Sequence, residues 1–246
     1  MPSTRLVAHR GHPAAFPENS LPGLRAALEA GACHVEFDVN FSRDGVPFVL
    51  HDVNLRRATG VNVRIDALDS ADVLALPAGE PSRFGEQFRQ LRIPMLSEVL
   101  ELLDGFPAVT GFVEVKRASL LKLGRGAAMH ALTPLIAPRR ERAVLLSFDH
   151  GLVGRAGAAG WRTGWAFEPW RAHHLARAQR LQPEFLFTSF IGLPPGSEAF
   201  WPGPWKWAVY DVPDLATAHW LFSLGAHLVE TDWIVEWLAG SRERTA

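Results

Sequence analysis

The chain has 246 residues, 48% of them hydrophobic, and a formal net charge of −1 from 25 basic and 26 acidic side chains, which allows a large buried core and leaves no basic stripe for a nucleic acid. Its one cysteine, Cys33, excludes an intramolecular disulfide. No apolar run reaches the roughly 20 residues of a bilayer span, and "MPSTRLVAHRG" lacks the apolar stretch of a signal peptide, so a cytoplasmic location without stable membrane insertion is expected.

Short apolar runs alternate with helical patterns along the chain. "RLVAH" (Arg5–His9) reads as a strand. "SLPGLRAALEAG" (Ser20–Gly31) reads as a helix, with a Ser cap, a Pro in the first turn and a closing Gly. "HVEFDV" (His34–Val39) and "VPFVLHD" (Val46–Asp52) are strands around the turn "NFSRDG". Residues 53–93 read as a loop-rich insertion. Six more strands follow: Gly111–Lys116, Ala143–Phe148, Arg162–Phe167, Glu184–Ser189, Lys206–Tyr210 and His227–Thr231. Helical stretches such as "MLSEVLELLDG", "HGLVGRAGAAG" and "PDLATAHWLFSLG" lie between most of them.

One connection is too short for a parallel crossover, which takes roughly a dozen residues. The link across "SRDG" therefore returns Val46–Asp52 antiparallel to Val35–Phe41, with the numbers of facing residues summing to about 87. That register sets His51 beside Glu36. Without the return strand, eight strands remain, each followed by a segment long enough for a crossover. This pattern predicts an α/β fold: a (β/α)8 TIM barrel with an antiparallel hairpin return strand after strand 2, in one domain over residues 1–246. A doubly wound open sheet is the alternative, disfavoured because no Gly-rich nucleotide fingerprint follows the first strand.

Barrel chemistry collects at the C-terminal ends of the strands. Those ends carry His9 and Arg10, then Glu36 and Asp38, then Glu114 and Lys116. Side chains alternate with period 2, so these carboxylates share a face while Val35, Phe37, Val39, Val113 and Val115 take the other. Three converging carboxylates need a compensating cation, and all-oxygen ligation suits Mg²⁺ or Ca²⁺. Three carboxylates against a divalent ion, Arg10 and Lys116 leave one positive charge, which one phosphodiester anion cancels. Only three lysines occur, against 22 arginines; Lys116 is one of them, a compact point charge suited to phosphate. His9 and His51 join the group as acid and base, because both fall beside the carboxylates by independent arguments.

The motifs "AHRG" (Ala8–Gly11), "PENS" (Pro17–Ser20), "GACHVEFDVNFSRDGVPFVLHD" (Gly31–Asp52), "IPMLSEVL" (Ile93–Leu100), "VEVK" (Val113–Lys116) and "LSFD" (Leu146–Asp149) resemble the glycerophosphodiester phosphodiesterase family. "WAVYDV" (Trp207–Val212) and "ETD" (Glu230–Asp232) resemble its C-terminal motifs more loosely. The resemblance implies a barrel enzyme with one divalent metal on Glu36, Asp38 and Glu114. It also implies acid–base histidines at His9 and His51, and phosphate contacts from Arg10 and Lys116. The expected substrate is a small-molecule glycerophosphodiester, such as glycerophosphocholine or glycerophosphoethanolamine, cleaved to glycerol 3-phosphate and an alcohol. A lysophospholipase D-type reaction and a non-catalytic phosphate-ester binding barrel are the alternatives. The chain departs from the family where Tyr210 and Glu230 stand. Trp207 is the candidate for stacking on the alcohol moiety, and Ser20 or Asn19 is expected to cap the first helix.

Overall fold

The computed structural model describes residues 2–242. Nine strands are present among them: β1 (Leu6–Ala8), β2 (His34–Phe41), β3 (Pro47–Val49), β4 (Thr110–Val115), β5 (Ala143–Ser147), β6 (Arg162–Ala166), β7 (Phe185–Ser189), β8 (Lys206–Tyr210) and β9 (Leu228–Thr231). They run in the order β1-β9-β8-β7-β6-β5-β4-β2-β3, and a further parallel β1–β2 pairing closes the ring. Eight strands are mutually parallel and only β3 is antiparallel, so the molecule is a (β/α)8 barrel with a hairpin return strand.

The crossovers carry α1 (Leu21–Glu29), then α2 (Arg56–Thr59), α3 (Ser70–Leu74) and α4 (Pro81–Phe84) within the insertion, then α5 (Leu96–Asp104), α6 (Arg117–Leu123), α7 (Arg125–Ile136), α8 (His150–Ala158), α9 (Ala172–Leu181), α10 (Leu215–Ser223) and α11 (Ile234–Arg242). Ser20 caps α1, its hydroxyl accepting from the Gly23 N–H at 3.3 Å. The insertion is more ordered than a loop. Its short helices enclose a small apolar cluster of Leu55, Ile65, Val73 and Ala78, roofed by Phe48 and Ile93.

The return strand is shorter than its sequence suggests. Val39 faces Val49 and Asn40 faces Phe48, one residue off the expected register. The ladder ends at Val49, so His51 sits in the loop beyond it rather than opposite Glu36. Asn40 holds that loop, donating from Nδ2 to the carbonyls of Leu50 (2.9 Å) and His51 (3.0 Å).

Period-2 alternation divides the apolar residues. Val35, Phe37, Val39, Val113 and Val115 pack outward against the helices. Val7, Phe112, Val144, Leu146, Phe185 and Phe187 fill the barrel interior. Phe112 meets Phe185 and Phe187 edge-on, with centroids 5.0 and 5.1 Å apart. This aromatic plug excludes water from below, and each ring contributes about 1.5–3 kcal/mol of burial. Polar side chains on the same inner faces are thereby left to the upper mouth.

Candidate active site

Parallel pairing of β2 and β4 puts Asp38 beside Glu114 and Glu36 beside Phe112. The three carboxylates all point inward, and one oxygen from each lies within 4.8 Å of the others. Glu36 and Asp38 are each 1% exposed. The Lys116 ammonium bridges Asp38 Oδ1 and Glu114 Oε1 at 2.7 Å each, and Glu36 Oε1 is buried with no hydrogen-bond partner. Burial, followed by the charges of Asp38, Glu230 and Glu114, pushes the Glu36 carboxyl well above the usual glutamate range. Asp38 goes the other way: burial opposes its ionisation, but Arg10 and then Lys116 hold it below the ordinary value. A cluster with one lysine among three buried carboxylates and an unused buried oxygen fits a hard divalent cation.

The tight turn after β1 delivers His9 and Arg10. Arg10 has φ +53° and Gly11 φ +88°. A Cβ on Gly11 would lie 2.7 Å from the Gly23 carbonyl carbon, so both its φ and the close approach of α1 require glycine. The Arg10 guanidinium reaches Glu18 Oε2 (2.9 Å) and Asp38 Oδ2 (3.1 Å), while its backbone N–H donates to Glu36 Oε2 at 3.3 Å. Asn19 braces the same carboxylate, donating to Asp38 Oδ2 (2.8 Å) and accepting from the Asp38 N–H (3.1 Å). Of the two "PENS" candidates, Ser20 is therefore the helix cap and Asn19 fixes Asp38.

Each histidine has its own carboxylate. His9 Nδ1 meets Asp232 Oδ1 at 2.7 Å, and His9 Nε2 lies 3.3 Å from Glu230 Oε1. Burial opposes the imidazolium, but Glu230 and then Asp232 outweigh it, so the His9 pKa is raised. His51 Nδ1 meets Asp52 Oδ1 at 2.7 Å. From there a chain of ion pairs crosses the site. Arg57, on α2 of the insertion, pairs with Asp52 Oδ2 (2.7 Å) and Glu18 Oε1 (2.6 Å), and Glu18 in turn pairs with Arg10. The insertion thus fixes the His51 carboxylate and the Arg10 guanidinium together.

Part of this set lines a cavity of about 220 Å³, with Glu36 and Asp38 buried behind its wall. His9, Arg10, His51, Glu114 and Lys116 stand on its polar side. Phe148, Phe187, Tyr210, Glu168, Asp211 and Glu230 complete it. Trp207 is not among the lining residues. It points outward, 2% exposed, with centroids 5.1 Å from Trp170 and 4.9 Å from Phe200, and donates from Nε1 to the Trp201 carbonyl at 2.9 Å. Alternation along β8 turns Ala208 and Tyr210 inward instead. "FWPGPWKW" accordingly packs over the barrel wall, with Phe200, Trp205 and Trp207 all buried.

Both departures noted in the sequence, Tyr210 and Glu230, face this cavity. The Tyr210 hydroxyl donates to Glu168 Oε1. Glu230 is 3% exposed and its pKa is pushed up to about 7, chiefly by burial, which the opposing charge of His9 only partly offsets. Sequence reasoning did not assign Glu18, Asn19, Asp52, Arg57 or Asp232 to the site. "ETD" was the one signal for Asp232; nothing local marked Arg57.

The fold is a closed (β/α)8 barrel with acidic, basic and imidazole groups gathered at the strand C-termini, the end where barrel chemistry collects. A profile of the Glycerophosphoryl diester phosphodiesterase family matches residues 9–163, and the chain belongs to that family. It is 32% identical over 149 residues to a glycerophosphodiester phosphodiesterase of Caldanaerobacter subterraneus subsp. tengcongensis, a match covering 60% of this chain and 59% of that one. It is 37% identical over 94 residues to glycerophosphodiester phosphodiesterase 1 of Mus musculus, covering 38% of this chain and 28% of the mouse protein. The matched stretches thus span less than two thirds of these relatives. Among solved structures, an Oleispira antarctica phosphodiesterase in complex with the product sn-glycerol-3-phosphate superposes with a TM-score of 0.82 at 22% identity, covering 97% of this chain and 96% of that one. The glycerophosphodiester phosphodiesterase of Agrobacterium tumefaciens gives 0.73 at 22% identity, over 96% of this chain and 99% of that one. These two likenesses concern the fold. No helix of the described residues is long and apolar enough to cross a membrane.

Proposed function

We propose that this chain hydrolyses glycerophosphodiesters, such as glycerophosphocholine and glycerophosphoethanolamine, to glycerol 3-phosphate and an alcohol. The observation that carries this reading is the pair of imidazoles, each held at Nδ1 by its own carboxylate, beside three inward carboxylates and two basic groups around one cavity. Glu36, Asp38 and Glu114 would hold Mg²⁺ or Ca²⁺, which when bound offsets negative charge on the phosphoryl oxygens.

The remaining work falls to the chain itself. Arg10, fixed from two sides by Glu18 and Asp38, presents a preorganised guanidinium to the phosphoryl group. Lys116 adds a second charge. One imidazole takes the proton of the attacking hydroxyl at Nε2, and the other returns a proton to the leaving alkoxide from Nε2. Asp232 and Asp52 hold Nδ1 of the two rings and so direct Nε2 to this work, His9 Nε2 facing Glu230 at 3.3 Å. Phe148 and Tyr210 line the cavity and are the side chains we assign to the alcohol. Cys33 is a free thiol, which suits a reducing compartment such as the cytoplasm.

The test is turnover of glycerophosphocholine and glycerophosphoethanolamine by the wild type and by His9→Ala and His51→Ala. Each variant is expected to lose about 10²–10⁴-fold in kcat, the usual scale of one acid–base group. Near-full activity in both variants would refute the assignment.

A further inference from the structure

A second cavity, of about 200 Å³, adjoins the first and shares Phe148, Ala166 and Glu168 with it. It passes over the C-terminal end of β6, where Ala166 faces the barrel interior and Trp165 faces the helices. Its character is opposite to that of the carboxylate cluster. Arg117, Arg125 and Arg177 line it, together with His150 and His174. Arg125 is committed to Asp149, with Nε and Nη2 at 2.6 and 2.9 Å from the two carboxylate oxygens. Arg117 and Arg177 have no acidic partner among the described residues, and Arg177 lies 6.0 Å from the Trp165 ring centroid.

Two polar atoms in this wall are also unused. Trp165 is 2% exposed and His174 7% exposed, yet Trp165 Nε1 and His174 Nδ1 have no hydrogen-bond partner. An indole N–H can only donate, so a buried one without an acceptor carries an unmet cost that an oxyanion would remove. Burial and then the charge of Arg177 push the His150 pKa down, against the charge of Asp149, with Arg125 and Arg117 adding to the lowering. Asp149 and Glu168 also line the cavity, but Asp149 is paired with Arg125 and the three arginines outnumber the two carboxylates. Guanidinium forks pair bidentately with phosphate oxygens.

We propose that this cavity is a second phosphate subsite, which takes a phosphate group carried by the alcohol portion of the substrate while the scissile phosphodiester occupies the first cavity. The substrate class is a glycerophosphodiester whose alcohol bears a further phosphate, as in a short glycerol-phosphate oligomer. The continuity of the two cavities carries the link between the groups, and this assignment rests on the hydrolase reading of the first. Arg117 and Arg177 are its specificity determinants, and neither lies within the hydrolytic machinery.

The test compares glycerophosphoglycerol with the same compound phosphorylated on its second glycerol. Wild-type kcat/KM should be at least about 10-fold higher for the phosphorylated substrate, the loss of one charge-assisted contact being worth that factor. The Arg117→Gln/Arg177→Gln double variant should lose the preference while keeping glycerophosphoglycerol turnover within about twofold. An absent preference, or one that survives in the double variant, overturns the proposal. A second arm titrates inorganic phosphate against the wild type, Trp165→Phe and the double variant, read by calorimetry. Saturable binding weakened in both variants supports the subsite even if neither diester is turned over, an outcome that would refute the hydrolase reading alone. Phosphate binding without any preference for the phosphorylated diester would assign the cavity to free phosphate and overturn the substrate link.

Discussion

Asp232→Asn isolates the contact that orients His9. The exchange keeps the shape of the side chain and removes its charge, and it leaves Glu230 and the barrel interior untouched. The contact that loses its charge is the 2.7 Å one between Asp232 Oδ1 and His9 Nδ1. Hydrogen bonds to charged groups contribute about 1.5–3 kcal/mol. Because the Asp232 side chain is 54% exposed, solvent screening reduces that range to about 1–2 kcal/mol. If His9 works as acid or base, kcat/KM should fall about 5- to 30-fold, at about 1.4 kcal/mol per factor of ten. The pH profile supplies the discriminating readout. Asp232 raises the His9 pKa, so its neutralisation should move the His9 limb of the kcat/KM profile to lower pH. The assay is initial-rate hydrolysis of glycerophosphocholine from pH 5 to 9, with thermal unfolding as a control for folding. A change below twofold with an unmoved limb would refute the positioning of His9 by Asp232.

Three other outcomes follow from the same geometry. Arg57→Ala removes the link between Asp52 and Glu18 and should lower kcat about 10-fold or more with a smaller change in KM, measured by steady-state kinetics. Gly11→Ala places a Cβ 2.7 Å from backbone at φ +88° and should cost about 1–3 kcal/mol in denaturant unfolding. In the cation-free protein, titration of Glu36, Glu230 and His9 should lower stability as pH rises from 5 to 8, against the lowered His34, His150, His174 and His227, which act in the opposite direction. Glu36 and Glu230 have folded pKa values above the ordinary 4.5, so the folded state holds protons there that the unfolded chain has released. His9, also raised, contributes stability that is present below its unfolded pKa and lost as pH rises through the folded one, in the same direction. The lowered carboxyls Glu18, Asp38 and Asp52 are ionised in both states across this window and leave the slope unchanged. Added Mg²⁺ or Ca²⁺ should raise the melting temperature more at pH 8 than at pH 5.

Strand periodicity and the short "SRDG" link made the barrel, the return strand and the inward carboxylates legible in the sequence. The alternation of acidic with β-branched residues on β2 and β4 left only one way to face them. Trp207 was misdirected because both faces of a parallel barrel strand are apolar, so "KWAVY" contains no polarity contrast to tell inside from outside. His51 was brought to the right neighbourhood by a register one residue off, since the ladder stops at Val49. The network through Asp52, Arg57 and Glu18 was not legible. It joins the first loop to a helix inside the insertion, and such tertiary ion pairs leave no periodic trace. Glu230 and Tyr210 were visible only as exceptions to a pattern, and their shared orientation toward the cavity emerged from the pairing of β8 with β9.

The central claim is that Glu36, Asp38 and Glu114 form one cation site on which hydrolysis depends. The most direct measurement is turnover of glycerophosphocholine by chelator-stripped protein titrated with Mg²⁺ and Ca²⁺, for the wild type and for Glu36→Gln. The account predicts no turnover without the ion, saturable recovery in the wild type and none in the variant. Full turnover in excess chelator, or equal recovery in Glu36→Gln, would contradict it.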